Sequence, residues 1–352
     1  MSNFFKKIKN LFSGNMVVAL SPKKEKIKRI VKYSFCFGLP LLGAVLGSTF
    51  GIIEYNKNKT PQTDIIVEVN KEKVNRRVYL ISNDNLTVPL SVSLEKKSTL
   101  QEQILDVYNL LKEDSKASNN YLKGFIKDEV KMNKMEIKDN ILSLDFSTNI
   151  FSDSFNQNKV LEALTMSFIS FDEVDGIEIF INGTKLNEMV SNYIPEVLDE
   201  NYGINQDFYY TSSILGKEKQ IVFYSRTYDE KNKYIVPVTV YCEKENSINQ
   251  TFVNATKINQ PVSSLLTRID LYDMLESKQD GENHTYEVTN KALLEEECIN
   301  KELYELVSLS YDLMGYEEKV SFTLEGEVVA VDGIYSTEDA KVNNIIFNEV
   351  KL

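Results

Sequence analysis

The stretch LTVPLSVSL, Leu86 to Leu94, is answered 148 positions later by YIVPVTVYC, Tyr234 to Cys242. In the first, Val88, Leu90, Val92 and Leu94 alternate with Thr87, Pro89, Ser91 and Ser93, the period of a strand with one apolar face. Proline cannot donate to a ladder, so Pro89 and Pro237 belong at a sheet edge or a strand start. A repeat near 145 residues is too long for a solenoid unit and implies two copies of a whole domain. The chain, at 352 residues, is long enough for two ordinary cores.

The surrounding patterns extend the repeat. RRVYLIS, ending at Ser82, reads as a strand before LTVPLSVSL. Thr99 with Glu102 makes a capping box, and Leu100, Ile104, Val107, Tyr108 and Leu111 follow at helical spacing. Met135 and Ile137 lead into a tight turn at Asp139-Asn140, and Leu142, Leu144 and Phe146 alternate on the return strand. A second helix carries Leu161, Leu164, Phe168 and Phe171, Asp175-Gly176 breaks it, and GIEIFINGTKL is a last strand. The second half repeats the order with drift: KQIVFYS, YIVPVTVYC, a polar insertion NSINQTFVNATKINQ, a first helix marked by Leu265, Ile269 and Tyr272, a second marked by Leu303, Leu306, Val307 and Met314 behind Asn300, and KVSFTLEGEVV. Gly326 answers Gly183.

Ahead of the repeats, Tyr33 to Ile53 is 21 residues without a charge, enough to span about 30 Å as a helix. Nine Lys or Arg and one acidic residue, Glu25, precede it, which predicts a cytoplasmic N-terminus and an uncleaved signal anchor, a cleaved signal peptide being the other reading. Gly43, Gly47 and Gly51 fall on one face of that helix, where they either pack it against another membrane helix or reflect the general abundance of glycine in such segments. Phe4, Phe5, Ile8, Leu11 and Phe12 lie opposite Lys6, Lys7 and Lys9, a pattern for resting on anionic lipid as well as a topology signal. The part beyond the apolar run carries −20 of the chain's −12 net charge, and an acidic body excludes the basic footprint that nucleic acid needs.

The chemistry-bearing residues are few. Cys36, Cys242 and Cys298 have neither metal spacing nor a disulfide framework, although Cys242 and Cys298 could pair. The single histidine, His284, sits in GENHT and reads as a loop residue. Glu295, Glu296 and Glu297 lack the aspartate-glycine pattern of a calcium loop and read as a solvated face. No phosphate-binding loop, nucleophile elbow or dinucleotide fingerprint occurs. No catalytic, cofactor or metal residue is therefore assigned.

VYLISNDNLTVPLSVSL, GFIKDEVKMNKMEIKDNILSLDFS and LEALTMSFISFDEVDGIEIFINGTKL together resemble the GerMN domain family. Val88-Pro89, Asp145-Phe146-Ser147 and Val174 through Asn182-Gly183 fill its motif positions. The resemblance covers residues 75–190 well and 217–332 weakly; the second copy keeps Val236-Pro237 and Glu325-Gly326 but replaces the Asp-Phe-Ser element with LLEEE near Leu293. It implies a fold similar to ring-building motifs, a membrane-attached layout with two such domains outside, a structural or assembly role in sporulation or germination, and no catalytic residues. Asp145 is either a ligand or cation contact or a cap that orders the turn before the second helix, the reading adopted here. Asn182-Gly183 is a tight turn in which Gly supplies the positive φ.

The expectation is an α+β chain: a basic cytoplasmic arm at 1–32, one transmembrane helix at 33–53, a stalk at 54–74, a first domain at 75–194, a linker at 195–216 and a degenerate second domain at 217–352. Each domain is expected to be one mixed sheet with two helices on one face. The expected work is assembly at the cell envelope, through contacts with membrane lipid, with other envelope proteins and with itself. A sensor or ligand-binding module would show an apolar cleft between the domains. An envelope hydrolase would show two carboxylates about 5–10 Å apart in a cleft.

Overall fold

The computed structural model describes residues 72–151, 154–189, 194–206, 216–258, 265–277, 284–290, 294–295, 298–316, 320–331 and 346–352. Asn70–Leu352 form one compact unit. The apolar run at 33–53, with Gly43, Gly47 and Gly51, lies outside the described residues. Among the described residues no helix is long and apolar enough to cross a membrane.

In the first copy β1 (Lys73–Ser82) and β2 (Thr87–Glu95) pair antiparallel with Tyr79 opposite Pro89. Thr99 caps α1 (Leu100–Leu110) with the full capping box, and α1 buries Ile104, Val107, Tyr108 and Leu110. The chain then adds β3 (Leu122–Lys123) to the free side of β1. Here backbone passes very close to backbone: a Cβ on Gly124 would stand 2.0 Å from the Lys112 carbonyl oxygen. A second sheet follows. β4 (Met132–Lys138) and β5 (Ile141–Phe146) form a hairpin whose turn residues Asp139 and Asn140 both have positive φ, 52° and 60°. That is the backbone hand that matches strand twist. α2 (Gln157–Phe168), capped by Asn156, crosses over to β6 (Gly176–Ile181), which lies parallel to β5. β7 (Thr184–Lys185), the short α3 (Leu186–Met189) and β8 (Leu198–Asp199) complete the copy, with β7 and β8 both on β6.

α2 explains the layering. Every residue from Val160 to Phe168 is buried, including Glu162, Thr165 and Ser167. A helix buried all round is covered on all sides, and α2 touches β1, β2, α1, β6 and β8. So the copy is two sheets sharing one central helix, not the single sheet with both helices on one face that the patterns suggested. The five strands and two helices expected occur in the expected order, but β3, β7, α3 and β8 were not foreseen; the split follows from β3, which ends the first sheet before β4 begins the second.

The second copy runs β9 (Lys217–Thr227), β10 (Lys233–Glu243), α4 (Ile248–Thr256), β11 (Thr267–Arg268), a 3-10 turn at Asp270–Met274, β12 (Leu275–Ser277), β13 (His284–Val288), β14 (Leu294–Glu295), β15 (Cys298–Ile299), α5 (Lys301–Leu313), β16 (Val320–Leu324) and β17 (Glu327–Val328). β18 (Glu349–Val350) follows far along the chain and joins the first copy, parallel to β2.

Three expectations are corrected. The stretch read as a polar insertion is α4, capped by Ser247 148 positions after Thr99, with Phe252, Val253 and Ala255 in the core. Its polar composition hid a helix whose buried face is only three apolar residues wide. The second copy has no insertion there; from proline to the start of the second helix it is four residues shorter than the first. Leu265, Ile269 and Tyr272 mark no α-helix, and Tyr272 fills the core from the 3-10 turn. Removing residues 249–259, expected to be harmless for an insertion, is therefore expected instead to abolish cooperative unfolding of the second copy in calorimetry, because the apolar floor under β9 and β12 goes with it.

His284 is a strand residue, 5% exposed, opposite Val320 as Leu142 is opposite Ile177. Its Nδ1 lies 3.1 Å from Asn249 Oδ1, and its ring is 4.2 Å from that of Tyr311. The Asp-Phe-Ser element survives as Glu287-Val288-Thr289: Glu287 Oε1 accepts from the Gly326 N–H at 3.3 Å, as Asp145 Oδ1 accepts from the Gly183 N–H at 3.0 Å. Glu296 and Glu297 lie outside the described residues. Cys242 and Cys298 are both free, and burial pushes the Cys242 thiol up to about 11.

Candidate functional site

The two proline strands meet edge to edge. The Tyr79 N–H turns away from β2 to the Ser167 hydroxyl, so Pro89, its partner, directs its own backbone groups away from β1. There the Pro89 carbonyl accepts from Asn348. Pro237 does the same with Asn205. At each proline the position that would carry a free N–H has none, so no donor faces the amide donors of the asparagines.

Asn205 and Asn348, 143 positions apart, are placed by an approximate two-fold relation between the copies. Asn205 Oδ1 accepts from the Thr87 N–H at 2.8 Å, and its Nδ2 donates to the Thr87 carbonyl at 2.7 Å and to Pro237 across the seam at 2.8 Å. Asn348 Oδ1 accepts from the Ile235 N–H at 2.9 Å, and its Nδ2 donates to the Ile235 carbonyl at 2.7 Å and to Pro89 at 2.8 Å. Each asparagine thus holds the residue two before its own copy's proline and reaches the other copy's proline. The preceding residues match too: the Ile204 N–H donates to the Thr239 hydroxyl at 2.8 Å, the Phe347 N–H to the Ser91 hydroxyl at 3.2 Å. Both asparagines have positive φ, 49° and 48°, which Asn tolerates better than other side chains do.

The relation is broken by charge. Glu162, fully buried, accepts through Oε2 from the Thr87 hydroxyl, the Asn205 N–H and Lys159 Nζ at 3.0, 3.0 and 2.8 Å. Its counterpart Glu305 is paired with Lys301 at 3.5 Å, and burial raises its pKa. Beyond the clasps, Arg77 donates to Asp312 at 2.7 Å and Arg226 to Asp84 at 2.8 Å, both from one copy to the other. Burial disfavours charge on Arg77, but Tyr79 and Asp312 outweigh it and raise the pKa. The Tyr228 hydroxyl also donates to Asp84, the Tyr121 hydroxyl donates to Asp229 at 2.6 Å, and the Tyr121 and Tyr228 rings stack across the seam at 4.8 Å.

These carboxylates make the seam acid-labile. Burial raises the Asp84 pKa, yet hydrogen bonds from Ser82, Tyr228 and Arg226 carry it below its ordinary value. Tyr121 first, then Asn232 and Lys231, hold Asp229 at about 2. A depressed folded pKa means that the unfolded chain binds protons first as pH falls, so the contribution is whole above about pH 4 and disappears below it. The urea midpoint is expected to fall between about pH 4 and pH 2, with a shallower fall in Asp84→Asn.

Of the residues singled out in the sequence, Pro89 and Pro237 lie in this seam. Asp145, Ser147, Asn182 and Gly183 gather elsewhere: Asn182 and Gly183, with φ of 49° and 80°, form the β6–β7 turn that Asp145 caps, and the Ser147 hydroxyl accepts from the Lys131 N–H at 2.9 Å. Gly326, with φ of 87°, forms the matching β16–β17 turn. Asp145 thus caps the turn after β6, not the turn before α2 that was expected of it. The clasp asparagines were missed, though one signal existed: Ile204-Asn205-Gln206 and Phe347-Asn348-Glu349 keep the 143-residue spacing of Gly183 and Gly326.

Comparison with known proteins agrees with this architecture. Residues 77–187 match the family described as Germane, sporulation and spore germination. A curated relative, the spore germination protein GerM of Bacillus subtilis (strain 168), is 25% identical over 200 residues, 55% of this chain and 54% of that one. The chain thus spans about half the length of the curated relative it matches. The solved tandem GerMN domains of the sporulation protein GerM from Bacillus subtilis superimpose with a TM-score of 0.60 at 22% identity, over 73% of this chain and 92% of that one, a likeness of fold.

Proposed function

We infer that this chain, whose residues 77–187 match the Germane family, works as a membrane-anchored assembly protein of sporulation or germination. In this reading residues 33–53 hold it in the cell membrane with the basic arm in the cytoplasm, and the tandem copies stand outside and act by binding other proteins rather than by catalysis. One observation carries the assembly role: the seam joins both copies into one body through six hydrogen bonds of the two clasps that cross it and two ion pairs. A fused pair holds its outer faces at a fixed angle, which suits a building part. The space between the copies, where a sensor would keep an apolar cleft, is packed by Asn205, Asn348, Phe347 and the prolines.

The test is protease shaving of intact cells carrying the full chain tagged at both ends. External protease is expected to remove the C-terminal tag and leave the N-terminal one until the membrane is permeabilised. Protection of the C-terminal tag in intact cells would overturn the topology. A strain lacking the protein that sporulates and germinates normally would overturn the process.

A further inference from the structure

The two clasps are equivalent in geometry but not in how firmly they are held. Asn205 is fully buried and further pinned by Glu162 and Lys159. It also sits between the copies in the chain, so it cannot leave one without moving the other. The segment 346–352 has a lighter hold. Only Glu349 and Val350 pair with β2, opposite Ser91 and Val92. Phe347 meets Phe223 at 5.7 Å between ring centres, and Ile346 and Leu352 are 47% and 48% exposed. A two-residue ladder with one aromatic anchor belongs to the part of a fold that opens first.

We propose that segment 346–352 exchanges between two copies of this chain, the segment of each seating on the β2 edge and Ile235 clasp of the other. This deepens the assembly reading and rests on it. When the segment leaves, the edge it vacates shows the Pro89 carbonyl, the Ser91 N–H and both backbone groups of Ile235, all of which Asn348 satisfies. Such an edge accepts an added strand. The occupant it fits is the sequence it already holds: an asparagine reaching two carbonyls and one N–H, an aromatic residue before it and an extended Glu-Val after it. A second copy presents the same atoms, so exchange costs no contact. A reciprocal exchange is two-fold and closes on itself. The fourteen residues 332–345 that join Val331 to the segment allow a reach of up to roughly 46–50 Å.

The experiment uses full-length chains in detergent, with Cys36 and Cys298 replaced by serine. One population carries Val350→Cys and the other Val92→Cys, the positions that face each other in the parallel pair. Mixed at high concentration and oxidised, they are expected to give a reducible cross-chain dimer at a yield several-fold above that of Val350→Cys mixed with Lys138→Cys, an exposed position on β4. The yield should rise with concentration and vanish when residues 346–352 are removed. The double variant Val92→Cys/Val350→Cys, diluted, should close within one chain, which shows that the substituted protein folds and the segment seats. A double variant that closes while the mixed singles stay at the control yield would overturn the exchange. Whether the chain still forms oligomers by other faces, read from its mass in solution, judges the assembly reading separately.

Discussion

Replacing Asn205 by alanine is expected to cost about 3–5 kcal/mol of stability, because three buried groups lose their partner at once and each costs about 1–3 kcal/mol unpaired. The groups are the Thr87 N–H and carbonyl and the Pro237 carbonyl. Alanine at a φ of 49° adds strain of about 1–2 kcal/mol. Asn205→Asp should be no milder, since a carboxylate cannot donate to the two carbonyls and would stand beside Glu162. The same change at Asn348, which is only partly buried, is expected to cost less, about 1–3 kcal/mol. The measurement is urea unfolding of residues 70–352 followed by far-UV circular dichroism. One cooperative transition for the wild type should become two in Asn205→Ala as the copies uncouple. A single transition with an unchanged midpoint would remove the seam from the account.

Gly124→Ala should be the most damaging single methyl in the first copy. Its Cβ would lie 2.0 Å from the Lys112 oxygen and 2.7 Å from the Leu111 oxygen, both backbone atoms. A flexible side chain can swing away from such a collision; a carbonyl cannot without breaking what it holds. Here the Leu111 carbonyl accepts from the Phe125 and Ile126 N–H groups, and Lys112 bridges to Ile126. Overpacking of this kind costs about 3 kcal/mol or more. The expected result is a lower midpoint of the single urea transition, and little soluble protein. Gly183→Ala, where nothing stands within 4 Å of the added Cβ, is the control: it meets strain from a φ of 80° but no collision, and should cost about 1–2 kcal/mol.

What was legible in the sequence was what neighbours along the chain determine. The Thr99–Glu102 box, the Asp139-Asn140 turn and the strand alternation through Leu142, Leu144 and Phe146 are local, and all three stand as read. The doubled proline strand was visible; β10 does end its sheet, as proline chemistry suggested, while β2 is flanked by β18. What lay across the fold was not. α4 was hidden because its solvent and interface positions carry Asn, Gln and Thr. His284 looked like a loop residue because Gly281, Glu282 and Asn283 precede it, while its strand role depends on Val320 and Tyr311, far along the chain. The clasp asparagines serve a partner strand 32 and 259 residues away, and no local period announces such a duty.

The core of the second copy shows how far such a fold drifts without losing shape. Leu142, Leu144 and Phe168 of the first copy stand where the second has His284, Tyr286 and Tyr311, a set that adds a hydrogen-bonded centre with Asn249. Burial raises the Tyr286 pKa well above its ordinary value, so the phenol stays neutral and able to donate.

The spacing of the clasps also sets an order of events during synthesis. The first copy can fold as it emerges, but the Asn205 amide finds Pro237 only once β10 has been made, and the outward edge of β2 waits for Asn348, 259 residues after Pro89. For that interval a growing chain carries one bare strand margin. At about 5–20 residues per second the gap lasts on the order of ten to fifty seconds. Pro89 removes one donor from that margin, so the unfinished chain offers one backbone group fewer to a neighbour.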